Sequence, residues 1–162
     1  MDTQITDTDI HSSSEHHQLT LDLINSASRE INIHCHDLTN RIYNHPDIAA
    51  ALAKFITKNS STRTVRILVN NIESIISSDH KILEVCRRLS SNIKIHKLAQ
   101  QHASNTLSFI LVDSNTFIKR TDYTVFDGKL DCNPKQAKEL LNLFNEFWSH
   151  SELDNRLNRL HL

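Results

Sequence analysis

Apolar residues recur at helical spacing from about Ser14, where Leu19, Leu23, Ile24 and Ala27 share one side. From Glu30 to His36 the period shortens to two. Ile31, Ile33 and Cys35 alternate with Asn32, His34 and His36, which predicts a strand. Pro46 and Asp47 then suit the first turn of a helix, the one by its fixed φ and the other by its charge at the positive end of the dipole. Ile48, Leu52, Phe55 and Ile56 carry the apolar stripe of that helix. A polar run, KNSSTR, breaks it before Val65–Asn70, a strand rich in branched residues. Ser78 or Asp79 caps a third helix with Ile82, Leu83, Cys86 and Leu89 on one face, and a strand (NIKIH) begins at Asn92. Leu107 to Asp113 is almost continuously apolar, as suits a strand covered on both faces. Ser114 and Asn115 make a tight turn into a hairpin partner, Thr116–Lys119. Asn133 caps a final helix that Pro134 opens, and Ala137, Leu140, Leu141, Phe144, Phe147 and Trp148 form its wide apolar face.

Strands that alternate with helices predict an α/β fold: a mixed, mainly parallel sheet flanked by helices on both faces, with the hairpin as an antiparallel edge. Residues 1–13 are poor in apolar side chains and read as a mobile tail, and residues 14–162 as a single domain. From about residue 150 a helical extension follows. Leu153, Leu157 and Leu160 form a stripe there that packs on the domain, with contact to a second subunit or to a membrane surface as the alternatives. The loop 120–133 holds no clear period.

Composition narrows the function classes. The chain of 162 residues has 18 Lys and Arg against 19 Asp and Glu, a net charge of -1 that gives nucleic acid no basic footprint. Arg87 and Arg88 sit where a helix C-terminus favours positive charge anyway. No run of roughly 18 apolar residues is present, so no transmembrane segment is expected. The polar, acidic N-terminus lacks a signal-peptide pattern, and Cys35, Cys86 and Cys132 read as free thiols of a cytoplasmic protein. A single glycine, Gly128, excludes a P-loop, a dinucleotide fingerprint and a nucleophile elbow, each of which needs several. No cofactor is expected.

The order of elements, with the strands INIHC and VRILVN, the segment SFILVDSN and the closing helix ending LFNEFW, resembles a phospholipase-D-like half-domain over residues 15–150. The active motif of that family is His-x-Lys-x(4)-Asp, with the His as nucleophile and the Lys as phosphate-neutralising cation. Setting Asp113 on its Asp puts Thr106 at the His position and Ser108 at the Lys position. A threonine hydroxyl is a poor nucleophile without an adjacent base, and serine brings no charge to a phosphate. His102 stands four residues too early on the chain, and KRTD replaces the usual Gly-Ser-x-x-Asn. The resemblance thus implies a degenerate member without phospholipase D chemistry. The segments HDLTNRIYNHPDIAAAL, RRLSS, ILVDSNTFIKR and WSHSELDNRLNRLHL also resemble a bacterial domain often found C-terminal to GNAT-type acetyltransferases. That likeness implies a partner-associated, non-catalytic module and an acetyltransferase as a possible partner.

The expected site residues are His34, His36, Asp37, Asp113 and Arg120. His34 and His36 at i, i+2 share a strand face, a spacing that can hold zinc with Asp37 or Asp113, although hydrogen-bonded strand-end residues are the plainer expectation. Asp113 suits a turn-fixing role, and Arg120 either a phosphate or carboxylate clamp or an internal salt bridge. A homodimer is expected, because the superfamily sets two half-domains face to face and would gather Asp113, His36 and Arg120 at the junction. The leading expectation is a non-catalytic binding module. The alternatives are a phosphodiesterase or nuclease using His34, His36 or His102, and an accessory subunit of an acetyltransferase.

Overall fold

The structure, a computed structural model, describes residues 7–59 and 61–158. Strands β1 (Thr8–Ile10), β2 (Glu30–Cys35), β3 (Thr64–Val69), β4 (Ile93–Lys97), β5 (Ser108–Val112), β6 (Thr116–Arg120) and β7 (Gly128–Asp131) form one sheet in the order β1-β7-β6-β5-β2-β3-β4. Helices α1 (Ser13–Ser26), α2 (Asn40–Tyr43), α3 (Pro46–Lys58), α4 (Ile72–Ser77), α5 (Lys81–Arg88), α6 (Pro134–Ser149) and α7 (Asn155–Asn158) complete the described elements, with a 3₁₀ turn at Gln100–His102.

Helices lie on both faces of the sheet. On one face α1, α3 and α5 bury Ile24, Leu52, Phe55 and Leu83 with Ile31, Ile33, Ile67, Ile110 and Ile118 of the strands. On the other, α6 lays Ala137, Leu140, Phe144 and Phe147 on Leu68, Phe109, Leu111 and Phe117. The continuous apolar run of β5 follows from this, since all five of its residues are buried. α6 also covers the polar side of β2, so Asn32 and His34 are buried rather than facing water.

The fold class is the mixed α/β sheet flanked by helices that the sequence predicts. The strands β1, β2, β3, β4 and β6 run one way and β5 and β7 the other. Only two of the six neighbouring pairs, β2–β3 and β3–β4, are parallel. The reason is that β5 enters antiparallel to β2 and hairpins follow it, a return path that periodicity does not reveal.

Four local expectations change. Thr8–Ile10, placed in a mobile tail by the sequence, pairs with β7 and buries Ile10, while residues 1–6 lie outside the described residues. The loop 120–133 contains β7. The β5–β6 turn is made by Asp113 and Ser114, both at positive φ (54° and 61°), rather than by Ser114 and Asn115. Asp is among the side chains best suited to that region. His80, not Ser78 or Asp79, caps α5: its Nδ1 accepts from the Ile82 amide at 3.2 Å while Nε2 meets the Leu38 carbonyl at 2.8 Å. Burial lowers the His80 pKa, which suits that neutral, two-handed role.

At the outer side of β4 the segment after α6 forms a short bridge, with both backbone bonds between Lys97 and Glu152 at 2.8 Å. Leu153 is exposed and Leu157 is fully buried against the first core. The stripe therefore packs through Leu157, and Leu160 lies outside the described residues.

Candidate functional site

Asp113 lies at one end of β5, and Thr106 and Ser108, the residues the sequence aligns with the motif's His and Lys, lie at the other. At the turn end the Asp113 carboxylate accepts from the backbone amides of Ser28 (3.0 Å), Arg29 (2.7 Å) and Glu30 (3.1 Å) and from the Ser28 hydroxyl (3.1 Å). The Arg29 guanidinium donates to the Asp113 carbonyl at 2.9 Å, and the Ser114 hydroxyl donates to Glu30. Asp113 is thus the clasp between the β5–β6 turn and the loop entering β2. Its acceptor capacity is spent on amides that the sheet leaves unpaired.

At the other end, Ser108 pairs with Arg120 across the hairpin. The Arg120 side chain is 3 % exposed and runs over Ser108, with Nη2 at 3.4 Å from its Oγ. Nη1 donates to the carbonyls of Tyr123 (3.2 Å) and Val125 (3.1 Å), and the guanidinium carbon stands 5.8 Å from the Phe126 ring centre. Its hydrogen bonds go to two carbonyls and one hydroxyl, and Nε has no partner. The expected salt bridge is replaced by a loop that wraps the cation with carbonyl oxygens. The same loop is fastened to Thr106, whose hydroxyl donates to the Thr121 carbonyl (2.9 Å) and whose carbonyl accepts from the Tyr123 amide (3.0 Å). Gly128 makes room: a Cβ there would meet the Lys119 carbonyl oxygen at 2.9 Å and the Arg120 Cγ at 3.0 Å.

Side chains beside Arg120 are held in their uncharged forms. Burial first, and Arg120 second, push the His16 pKa down to about 4. Burial pushes the Cys35 thiol up to about 12 and also raises the Tyr43 phenol. None of these is a nucleophile or a proton carrier at neutral pH.

The five expected site residues do not meet at one point. Asp113 and Arg120 lie at opposite ends of the hairpin, as its register requires. Asp113 is also beside Glu30 at the start of β2, whereas His36 follows its end, about 20 Å away at the rise of a strand. His36 and Arg120 do come together through Tyr123: the His36 ring stacks on it with centres 4.0 Å apart, and Arg120 holds its carbonyl. The pairing of His34 with His36 on one face is broken, because β2 ends at Cys35. His34 is wedged under α6 between Phe109 and Phe147, with ring centres 5.4 and 5.2 Å away. Neither of its nitrogens completes a hydrogen bond, although the Leu107 backbone lies close, and burial lowers its pKa to about 4. His102 shares the Phe147 ring at 4.5 Å. Asp37 acts instead on Cys35 and His80.

A second cluster escapes sequence reasoning. His17 of α1, His45 before α3 and Asp47 in its first turn each place a ligand-type atom within 4.8 Å of the others. The segment HPD beside the apolar start of α3 was the available signal, but nothing local links it to a histidine 28 residues earlier.

Three similarities place this geometry among known proteins. Among solved structures, a phospholipase D family member, Nuc from Salmonella typhimurium, matches 91% of this chain and 97% of its own at 17% identity and a TM-score of 0.62. The archaeal chromatin protein TrmBL2, whose structure shows a mode of DNA binding, matches 94% of this chain and 56% of its own at 13% identity and a TM-score of 0.66. Phosphatidylserine synthase of Haemophilus influenzae Rd KW20 matches 97% of this chain and 41% of its own, at 12% identity and a TM-score of 0.63. Identities this low establish a phospholipase-D-like fold and nothing beyond it. No curated protein matches the chain, and no described helix is long and apolar enough to cross a membrane. Residues 12–160, nearly the whole chain, match a domain of unknown function, DUF7931, and the chain belongs to that family.

Proposed function

We propose that this chain is a non-catalytic binding module on a phospholipase-D-like fold, in which the place of the phosphotransfer residues has become packed interior. The observation that carries this reading is the Arg120 side chain, which lies over Ser108 and is tied to the carbonyls of the 121–126 loop. With Thr106 and Ser108 at the motif's His and Lys positions, no nucleophile stands there, and the nearby cation is committed to carbonyl oxygens. The histidines that a rearranged active site would use support the same reading. His34 is neutral and enclosed by aromatic rings, and His36 is stacked on Tyr123.

The test is hydrolysis of a generic phosphodiester, with and without chelator. The expected result is a rate equal to that of buffer, unchanged in His36→Ala. Turnover that His36→Ala abolishes would instead identify a phosphodiesterase. We place the module in the cytoplasm as a homodimer, since the superfamily sets two half-domains face to face; a monomer by light scattering would remove the dimer. Association with a GNAT-type acetyltransferase is the partner expected from the sequence, and co-purification from source lysate tests it.

A further inference from the structure

We propose that His17, His45 and Asp47 form a binding site for a divalent transition metal, with zinc the best fit. The three offer two imidazole nitrogens and one carboxylate oxygen, all within 4.8 Å of one another. That donor set matches zinc sites with three protein ligands and one position left for water. It joins α1 to the start of α3 and uses none of the side chains that hold Arg120.

The orientation of the two rings is the stronger argument. His17 Nδ1 lies 2.8 Å from the Ile42 carbonyl, and His45 Nε2 lies 3.0 Å from the Arg41 carbonyl. Both carbonyls belong to α2, a helix of four residues whose last oxygens have no partner within it. A carbonyl can only accept, so each imidazole spends its N–H there. The lone pairs of His17 Nε2 and His45 Nδ1 are what remain. This is how metal-binding histidines are set: the second nitrogen donates to a backbone oxygen and fixes the tautomer. The ring centres stand 4.0 Å apart.

Asp47 completes the set and exposes a conflict. Its Oδ1 accepts from the Ile48 amide at 2.7 Å, while Oδ2 stands 3.0 Å from His17 Nε2. A neutral His17 that donates to Ile42 would aim a lone pair at a carboxylate oxygen. Something positive has to lie between them, either a proton on the ring or a cation. The proton gives an ion pair in the metal-free protein, and zinc displaces it. The His17 side chain is 16% exposed and that of Asp47 46%, so an ion has an entry path and a place for solvent in its shell.

Titration calorimetry of the full chain with zinc chloride at pH 7.5, and the visible spectrum with cobalt(II), test the site. One equivalent of metal is expected, with His17→Ala and His45→Ala each weakening it about tenfold or more, Asp47→Asn weakening it less, and Cys132→Ser leaving it unchanged. Far-UV circular dichroism checks that each variant is folded. If one is not, the imidazole nitrogen resonances of the unaltered protein decide, since zinc must shift those of His17 and His45. No zinc binding, binding that the His17 and His45 variants retain, or zinc shifts confined to other residues would each overturn the proposal.

Discussion

At the turn end of β5 a carboxylate faces three backbone amides and a hydroxyl; at the other end a guanidinium is enclosed by carbonyls with no carboxylate among its bonds. Both charges are tied to backbone, yet they differ in what they cost. Asp113 is half-exposed and answers amides that would otherwise be orphaned. Arg120 is 3 % exposed and carries a positive charge into the interior, where burial keeps neighbouring His16, Cys35 and Tyr43 neutral and Arg120 adds to that effect at His16 alone. The turn end is an anchor, and the other end is a filled pocket held together under strain of charge.

The largest test of this contrast is acidification. Unfolded imidazoles titrate near 6.5, while folded His16 and His34 do so near 4. Between those values the unfolded chain binds more protons, so stability is complete above about pH 6.5 and falls as pH drops toward 4. The loss is about 3 kcal/mol for each imidazole, and His80, also lowered, adds in the same direction. Urea midpoints from pH 7.5 to pH 4 should trace this decline, and His34→Phe should flatten it by about half. An acid limb untouched by that substitution would remove His34 from the account.

Asp113→Ala should come next, at about 3 kcal/mol of lost stability, because it orphans several amides at once and empties a left-handed position of a suitable side chain. Asp113→Asn, which keeps the shape and one acceptor, should lose about 1 kcal/mol. Equal losses in the two variants would mean that the turn geometry, not the acceptor, matters. Gly128→Ala should cost about 2 kcal/mol through its contacts with Lys119 and Arg120, and a neutral result would show that β7 can shift away. The smallest effect belongs to Arg120→Met. Loss of a buried charge offsets loss of the bonds to Tyr123 and Val125, leaving stability within about 1 kcal/mol. The His16 pKa should rise in that variant and yet stay below 6.5, since burial is its first cause, as imidazole NMR titration would register.

The strands β2 to β6 and the helices α1, α3, α5 and α6 were legible because each carries several apolar residues in one period. β1 and β7 were not: with Ile10 and Leu130 as their only large apolar residues, they depend on pairing with each other and with β6. α4, six residues between two capping signals, is likewise held by Ile72 and Ile75 in the core. Of the site, the turn role of Asp113 could be read directly. Within one chain the topology separates Asp113 from His36 and Arg120. A hairpin of five-residue strands with its turn at Asp113 must send Arg120 to the far end. The partners that give Arg120 its meaning, Tyr123, Val125 and Phe126, lie in a loop with no period to read. His17 meets His45 only because α1 packs beside α2 and α3, a long-range fact.

The bridge between Lys97 and Glu152 bears on how copies of this protein could meet. β4 borders the sheet, and unpaired backbone along a border strand is a template for polymerisation. Here Glu152 takes the last rung, and Lys94 stands exposed in mid-strand, where a foreign strand would have to bury its charge. The opposite border is β1, only three residues long. Growth of the sheet across β4 is hindered at its last rung, and shortening the chain before Glu152 would leave the Lys97 backbone groups without these partners.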